Sequence, residues 1–354
     1  MGSGVPEERE AGKRPADGRH DLALLAGGML LPFLVFFFLL PTFYYSLSPG
    51  SSEPVETHIK VEGFPALESG DLYLTSVSVD PLSCAGLLAQ ALAGSNELES
   101  MRGLVGPGRG MDEYNARSDR LMQISKETAA AVALAKCGYE VPREKVGVLI
   151  LGFSPGAPLA GFAEVGDVIV EVDGKAVGDT EELRERLSGK RPGEPVDLVI
   201  ERGGEEGKSE SLRTETTAMQ DDPDRAALGI AVRDFVRYRF PLEVEIDMEG
   251  YTGPSAGLML ALGTINVIRG GGLVGDVKVA GTGEIFPDGS VGPIGGIDLK
   301  IRAAAAAGVA LFLVPSSNYG EITVFPEGLL VVPVENIDDA LMALGALRSE
   351  GETP

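Results

Sequence analysis

Ser255 lies in Gly253-Pro254-Ser255-Ala256-Gly257, a turn that leads into an apolar run from Leu258 to Ile268, closed by Gly270-Gly271-Gly272. The pattern predicts a helix with Ser255 in its first turn. A hydroxyl there sits beside unpaired backbone N–H groups and the positive end of the helix dipole, so the residue could simply cap the helix. It could equally act as a nucleophile, because the same N–H groups can stabilise the oxyanion formed when a peptide carbonyl is attacked. A serine nucleophile needs a base, and histidine is the usual one. The chain has two histidines, His20 and His58, both in or beside an N-terminal apolar segment and far in sequence from Ser255. Lysine is the remaining common base. Lys300 follows Gly295-Gly296-Ile297-Asp298-Leu299 and starts a small-residue helix through Ala303 to Ala307, whose methyl groups allow close packing and exclude water. A base working near neutrality needs its pKa brought from ~10.4 to roughly 7–8, a differential destabilisation of about 3–4 kcal/mol that burial can supply. Asp298 would oppose the shift if close, but at two residues' distance on a helix it points to nearly the opposite face.

Around these residues the segments GPSAG, AGTGEI and VGPIGG, and the lysine that follows, resemble in order and spacing the proteolytic domain of Lon-type serine peptidases. The resemblance implies a Ser-Lys dyad with Ser255 as nucleophile and Lys300 as general base, and gives Thr282 the role of positioning the lysine amine. It also implies protein or peptide substrates and a homo-oligomer, commonly a hexameric ring in this family. Earlier in the chain, the alternating run Asp71 to Val79 predicts a strand, and Met122 to Cys137 predicts a helix. With Ser125-Lys126-Glu127-Thr128 before its alanines, this pair is similar to elements that precede the nucleophile segment in Lon-type domains. The catalytic fold is therefore expected to begin near His58, with 58–142 as its first part and 225–348 as its second.

Between the two parts, Val146 to Leu151 predicts a strand and Pro155-Gly156-Ala157-Pro158 a turn. Val168 to Val172 predicts a strand ending in the Asp173-Gly174 hairpin signal, Asp179 and Glu182 a capped helix, and Val196 to Glu201 a closing strand. The order, with GDVIVEVDGKAV in it, resembles a bacterial PDZ domain over 143–217. Such domains add an extended peptide to a sheet edge beside a loop whose N–H groups hold a terminal carboxylate. By position that loop falls near Lys145, Val146 and Gly147. A spacer module without a ligand is the other reading.

The fold class expected is α/β: a Lon-type proteolytic domain, α+β with mixed sheets, carrying an inserted PDZ-like β-rich domain and preceded by one transmembrane helix. That helix is read from Leu22 to Tyr45, which holds no charged residue and is long enough for a span of about 20 residues. Arg9, Lys13, Arg14 and Arg19 precede it and Lys60 is the first Lys or Arg after it, so the positive-inside rule makes 1–21 a cytoplasmic tail and places the catalytic part outside. Residues 46–55 read as a linker. The net charge of −23 argues against nucleic-acid binding, which needs a basic surface. Gly207-Lys208-Ser209 ends like a phosphate-binding loop, but Arg202 stands where that loop requires glycine, so no nucleotide cofactor is expected. No metal is expected either, and Cys84 and Cys137 fit one disulfide or two buried thiols. The chain then reads as a membrane-anchored, ATP-independent serine endopeptidase with a peptide-binding PDZ module. The reading from another class is a catalytically silent receptor or scaffold.

Overall fold

The computed structural model describes residues 32, 35–93, 97–105, 110–219, 221–275 and 277–351. Its first strands are β1 (Pro41–Pro54), β2 (Ile59–Val61) and β3 (Leu72–Ser83). Residues 35–39 are helical, but the helix stops at Leu40. Pro41 lacks an N–H donor and pushes the residue before it out of the helical region. From there β1 runs antiparallel to β3, with Pro41 opposite Ser83 and Tyr45 opposite Pro81. The span expected at 22–45 is thus corrected at its end: Pro41 to Tyr45 are strand. Residues 22–31, 33 and 34 lie outside the described residues. Among the described residues, no helix is long and apolar enough to cross a membrane. Of the linker expected at 46–55, residues 46–54 are likewise the body of β1. After β3 come α1 (Cys84–Ala93), β4 (Glu97–Ser100), α2 (Met101–Val105) and α3 (Met111–Lys136). Cys84 and Cys137 are free thiols, each half-buried.

A second sheet follows. Its strands are β5 (Arg143–Phe153), β6 (Val168–Val172), β7 (Lys175–Ala176), β8 (Pro195–Glu201) and β9 (Ser209–Glu215), with helix α4 (Thr180–Leu187) between β7 and β8. Asp179 caps α4 by accepting from the N–H groups of Glu181 and Glu182. A short pair, β10 (Thr217–Ala218) and β11 (Ala226–Ala227), leads to β12 (Ile230–Tyr238). The order in this sheet is β12-β5-β6-β8-β9, with β7 on β6. Alternate residues Val148, Ile150, Val196, Leu198 and Ile200 fill the module's own core. β12, which the sequence reading leaves with the catalytic half, pairs with β5 from Ile230 opposite Phe153 to Tyr238 opposite Arg143.

The remaining elements are β13 (Val244–Ile246), α5 (Gly257–Ile268), β14 (Val279–Gly281), β15 (Glu284–Ile285), β16 (Val291–Gly292), α6 (Ile297–Ala306), β17 (Leu311–Pro315), β18 (Leu330–Val334) and α7 (Ile337–Gly351). β14 pairs with β17 and β17 with β18, β15 pairs with β16, and the group also joins the first elements. The main sheet runs β18-β17-β14-β3-β1-β4, with β3 parallel to β14, and β2 pairs with β13. Helix α5 is buried from Gly257 to Val267. Its Leu258, Met259 and Ile265 share one core with Val55, Ile59, Leu72 and Leu74 from the chain's first part and Leu313 from β17. An all-round apolar helix is stable only when covered on every side, and here α3 lies along it with Ala129, Ala130 and Ala133 in the same core.

Candidate active site

Ser255 stands two residues before α5, at a turn rather than in the helix's first turn as expected; Ala256 is the N-cap. Two contacts from α3 fix this turn: Ser118 O accepts from the Gly253 N–H at 2.9 Å, and Ser125 Oγ donates to Pro254 O at 3.1 Å. On the far side the Gly283 N–H donates to Ser255 O at 2.8 Å, and Thr282 Oγ1 donates to the same oxygen at 3.0 Å. Gly257 is required here for space. A Cβ on it would lie 2.8 Å from Ser125 Oγ and 2.9 Å from the Ile285 nitrogen.

Lys300 is in the second turn of α6 and is 5% exposed. Its Nζ lies 2.7 Å from Ser255 Oγ, 3.2 Å from Thr282 Oγ1 and 3.4 Å from Thr75 O on β3. All three partners can accept from the amine. Thr75 O can only accept, and the Thr282 hydroxyl already spends its proton on Ser255 O. Both therefore take N–H bonds from the amine. The ammonium donates its third N–H to Ser255 Oγ, whereas the neutral amine, with two hydrogens, keeps its lone pair for that oxygen. Burial pulls the Lys300 pKa down to about 8, which gives the neutral form a substantial population near neutrality. Asp298 does not oppose this, because it turns away from Lys300 to take hydrogen bonds from the backbone and side chain of Thr323.

The hydrogen-bond donors for an oxyanion are not those at the start of the helix. The Gly257 N–H is used by Pro254 O, and the Leu258 N–H by Gly283 O. Among the described residues, the amides of Ser255 and Ala256 have no partner. They lie on the turn that carries Ser255. No group of His, Cys, Asp and Glu among the described residues has the make-up of a metal site.

Residues 244–346, which contain the three convergent side chains, match the profile of the Lon protease (S16) C-terminal proteolytic domain, and residues 129–214 match that of the PDZ domain. The chain carries a Lon-type proteolytic domain and a PDZ domain. Similar proteins include an archaeal Lon protease of Methanothermobacter thermautotrophicus, 32% identical over 111 residues, or 30% of this chain and 17% of that protein. A Lon protease of Methanosarcina barkeri is 40% identical over 93 residues, covering 25% of this chain and 11% of that protein. The chain thus spans less than a fifth of the length of these relatives. A solved PDZ domain, from an SdrC-like protein of Listeria monocytogenes, is 24% identical over 25% of this chain and 87% of that one, with a TM-score of 0.22.

The PDZ domain needs a correction. Lys145, Val146 and Gly147 do not form a carboxylate-holding loop; they lie inside β5, with Lys145 opposite Val236 and Gly147 opposite Phe235. β5 pairs with β12 along its length, Lys145 to Gly147 included, and with β6 at Val148 and Leu149. The Lys145 ammonium is held by Asp179 at 3.1 Å and Asp234 at 3.2 Å. A Cβ on Gly147 would lie 2.5 Å from Ile169 O, which explains glycine there as packing against β6. Among the described residues the sheet ends in β12 on one side and β9 on the other, and the β12 edge lies beside the N-terminus of α4, where the Thr180 N–H and hydroxyl both donate to Asp234 Oδ1, at 2.9 and 2.8 Å. Sequence reasoning missed β12 because its partner strand lies more than a whole module earlier. It missed Thr75 because the contact is made by a backbone carbonyl, which no side-chain pattern marks.

Proposed function

We propose that this chain is a serine endopeptidase with Ser255 as nucleophile, Lys300 as general base and Thr282 as the residue that orients the amine. The observation that carries the reading is the buried Lys300 Nζ, 2.7 Å from Ser255 Oγ, with its other two partners both acceptors. In the proposed cycle Lys300 takes the Ser255 proton as Oγ attacks the peptide carbonyl, and the oxyanion is held by the amides of Ser255 and Ala256. The ammonium then gives its proton to the leaving amine as the C–N bond breaks. Water, deprotonated by the regenerated amine, attacks the acyl ester, and the proton returns to Ser255 as the carboxylic product leaves.

The other parts of the proposal follow from the rest of the chain. The free edge of β12, flanked by α4, is the place where the PDZ domain takes an extended peptide, as substrate or regulator. Gly207-Lys208-Ser209 belongs to the β8–β9 hairpin tip, with Lys208 paired to Glu205 at 2.5 Å, so the reading uses no ATP on this chain. The uncharged run from Leu22 onward anchors the protein in a membrane, with the catalytic part outside.

The deciding experiment is labelling with a fluorophosphonate probe, followed by peptide mapping. A single adduct on Ser255, lost in Ser255→Ala and Lys300→Ala, is the expected result. If a folded protein takes no label at Ser255, the chain is a peptide-binding scaffold and the peptidase reading fails.

A further inference from the structure

Arg233 and Asp234 are neighbours on β12, and successive side chains on a strand point to opposite faces. Asp234 holds the N-terminus of α4 through Thr180. Arg233 reaches the other way, out of the PDZ domain, and its Nη1 donates to Glu284 Oε1 at 2.7 Å. Both side chains are largely shielded, at 22% and 17% exposure, and the guanidinium lies 5.8 Å from the centre of the Phe286 ring. An ion pair in such a setting is screened far less than one in open solvent.

Glu284 opens the β15–β16 hairpin and directly follows Thr282 and Gly283. Thr282 touches both Ser255 and Lys300, and Gly283 exchanges backbone bonds with Ser255 and Leu258. One side chain from the peptide-binding strand is therefore anchored two residues from the group that positions the dyad. Arg143, on the neighbouring strand β5, donates to Pro287 O in the same hairpin.

We infer that Arg233 is a positioning residue for Ser255 and Lys300, and that through it the placement of β12 sets how well the nucleophile is aligned. The inference rests on the peptidase reading above. Its consequence is regulatory: an extended peptide that adds to the β12 edge must settle between β12 and α4, where Asp234 and Thr180 are joined. A peptide can change the rate only so far as it binds the aligned arrangement better than the misaligned one.

The test measures the second-order rate of fluorophosphonate labelling at Ser255, together with kcat and KM on a fluorogenic peptide, in the full chain. Arg233→Ala and Glu284→Gln should each slow labelling and lower kcat by roughly 10- to 100-fold, the scale expected of a small misplacement, with KM little changed. Arg233→Lys should recover part of the rate, and the charge-exchanged pair Arg233→Glu with Glu284→Arg should recover more than either single change. Asp234→Ala should slow labelling in the natural background but not in Arg233→Ala, since the path is already cut. Labelling at the natural rate in folded Glu284→Gln and Arg233→Lys, or equal and additive effects of Asp234→Ala in both backgrounds, would overturn the inference. Absence of label on the natural protein would instead bring down the peptidase reading itself, and this inference with it.

Discussion

On the peptidase reading Lys300 trades stability for reactivity, and titration reads both. If the amine must be neutral to take the Ser255 proton, kcat/KM should climb about tenfold per pH unit below pH 8 and level off above it, following the residue's pKa of about 8. Lys300→Ala and Ser255→Ala should each drop turnover by about 10⁴-fold, and the double change should cost little more, because nucleophile and base act as a unit. The same burial has a thermodynamic face. From 10.5 to about 8 the penalty on the charged form is about 3 kcal/mol. Between those two pH values the unfolded chain binds a proton that the folded chain does not, so stability rises with pH across that window; below pH 8 both states are protonated and the full penalty stands. Lys300→Met should therefore be inactive yet more stable than the natural protein at pH 7, by up to about 3 kcal/mol, with the gain gone above pH 10.5. Urea unfolding at pH 7 and pH 10.5 checks the sign.

At the scale of elements, the legible parts of the site were those written in side chains on one stretch of sequence. Gly253 to Gly257 marked the turn that carries Ser255, and the lack of a suitable histidine pointed to Lys300, which the structure places beside it. The unpartnered amides could not be read, since they depend on Gly257 and Leu258 spending theirs on Pro254 and Gly283, the second of these on another segment. Pairing across long stretches of chain was equally hidden: Lys145 to Gly147 lost their expected role because β12 occupies the edge of β5 that a peptide would need. The turn itself yields two tests. Thr282→Val removes the hydroxyl that accepts from Lys300 and donates to Ser255 O, and should cost about tenfold in kcat, while Thr282→Ser keeps most of the rate. Gly257→Ala drives a methyl against Ser125 and Ile285, and should lower stability by about 1–3 kcal/mol in thermal unfolding.

At the scale of the whole molecule, the governing question is whether the catalytic domain is one piece of chain or two. The profile match to the Lon-type domain begins at residue 244, yet β14 has β3 as a neighbour, β13 has β2, and the Lys300 amine bonds Thr75 on β3. A chain starting at Arg225 would lose Val55, Ile59, Leu72 and Leu74 from the core that covers α5. Each fully buried side chain of this kind contributes about 1.5–3 kcal/mol, so the four together are on the scale of a domain's whole stability, roughly 5–15 kcal/mol. That truncated chain is expected to be insoluble or unfolded by circular dichroism. Deletion of the PDZ domain should succeed only at the right boundary. The Arg239 N–H donates to Pro142 O at 2.9 Å, so the module leaves and rejoins the rest of the protein at adjacent points, as insertions do. Replacing 143–238 with a short glycine linker should give a soluble protein that unfolds in one cooperative transition. It should label slowly at Ser255, because Arg233 is gone. Replacing 143–217 alone strands β12 without β5, exposing a nine-residue edge on both sides, and should aggregate. A stable, fully active chain from Arg225 would show that the catalytic domain is contiguous and that the pairings with β2 and β3 are dispensable.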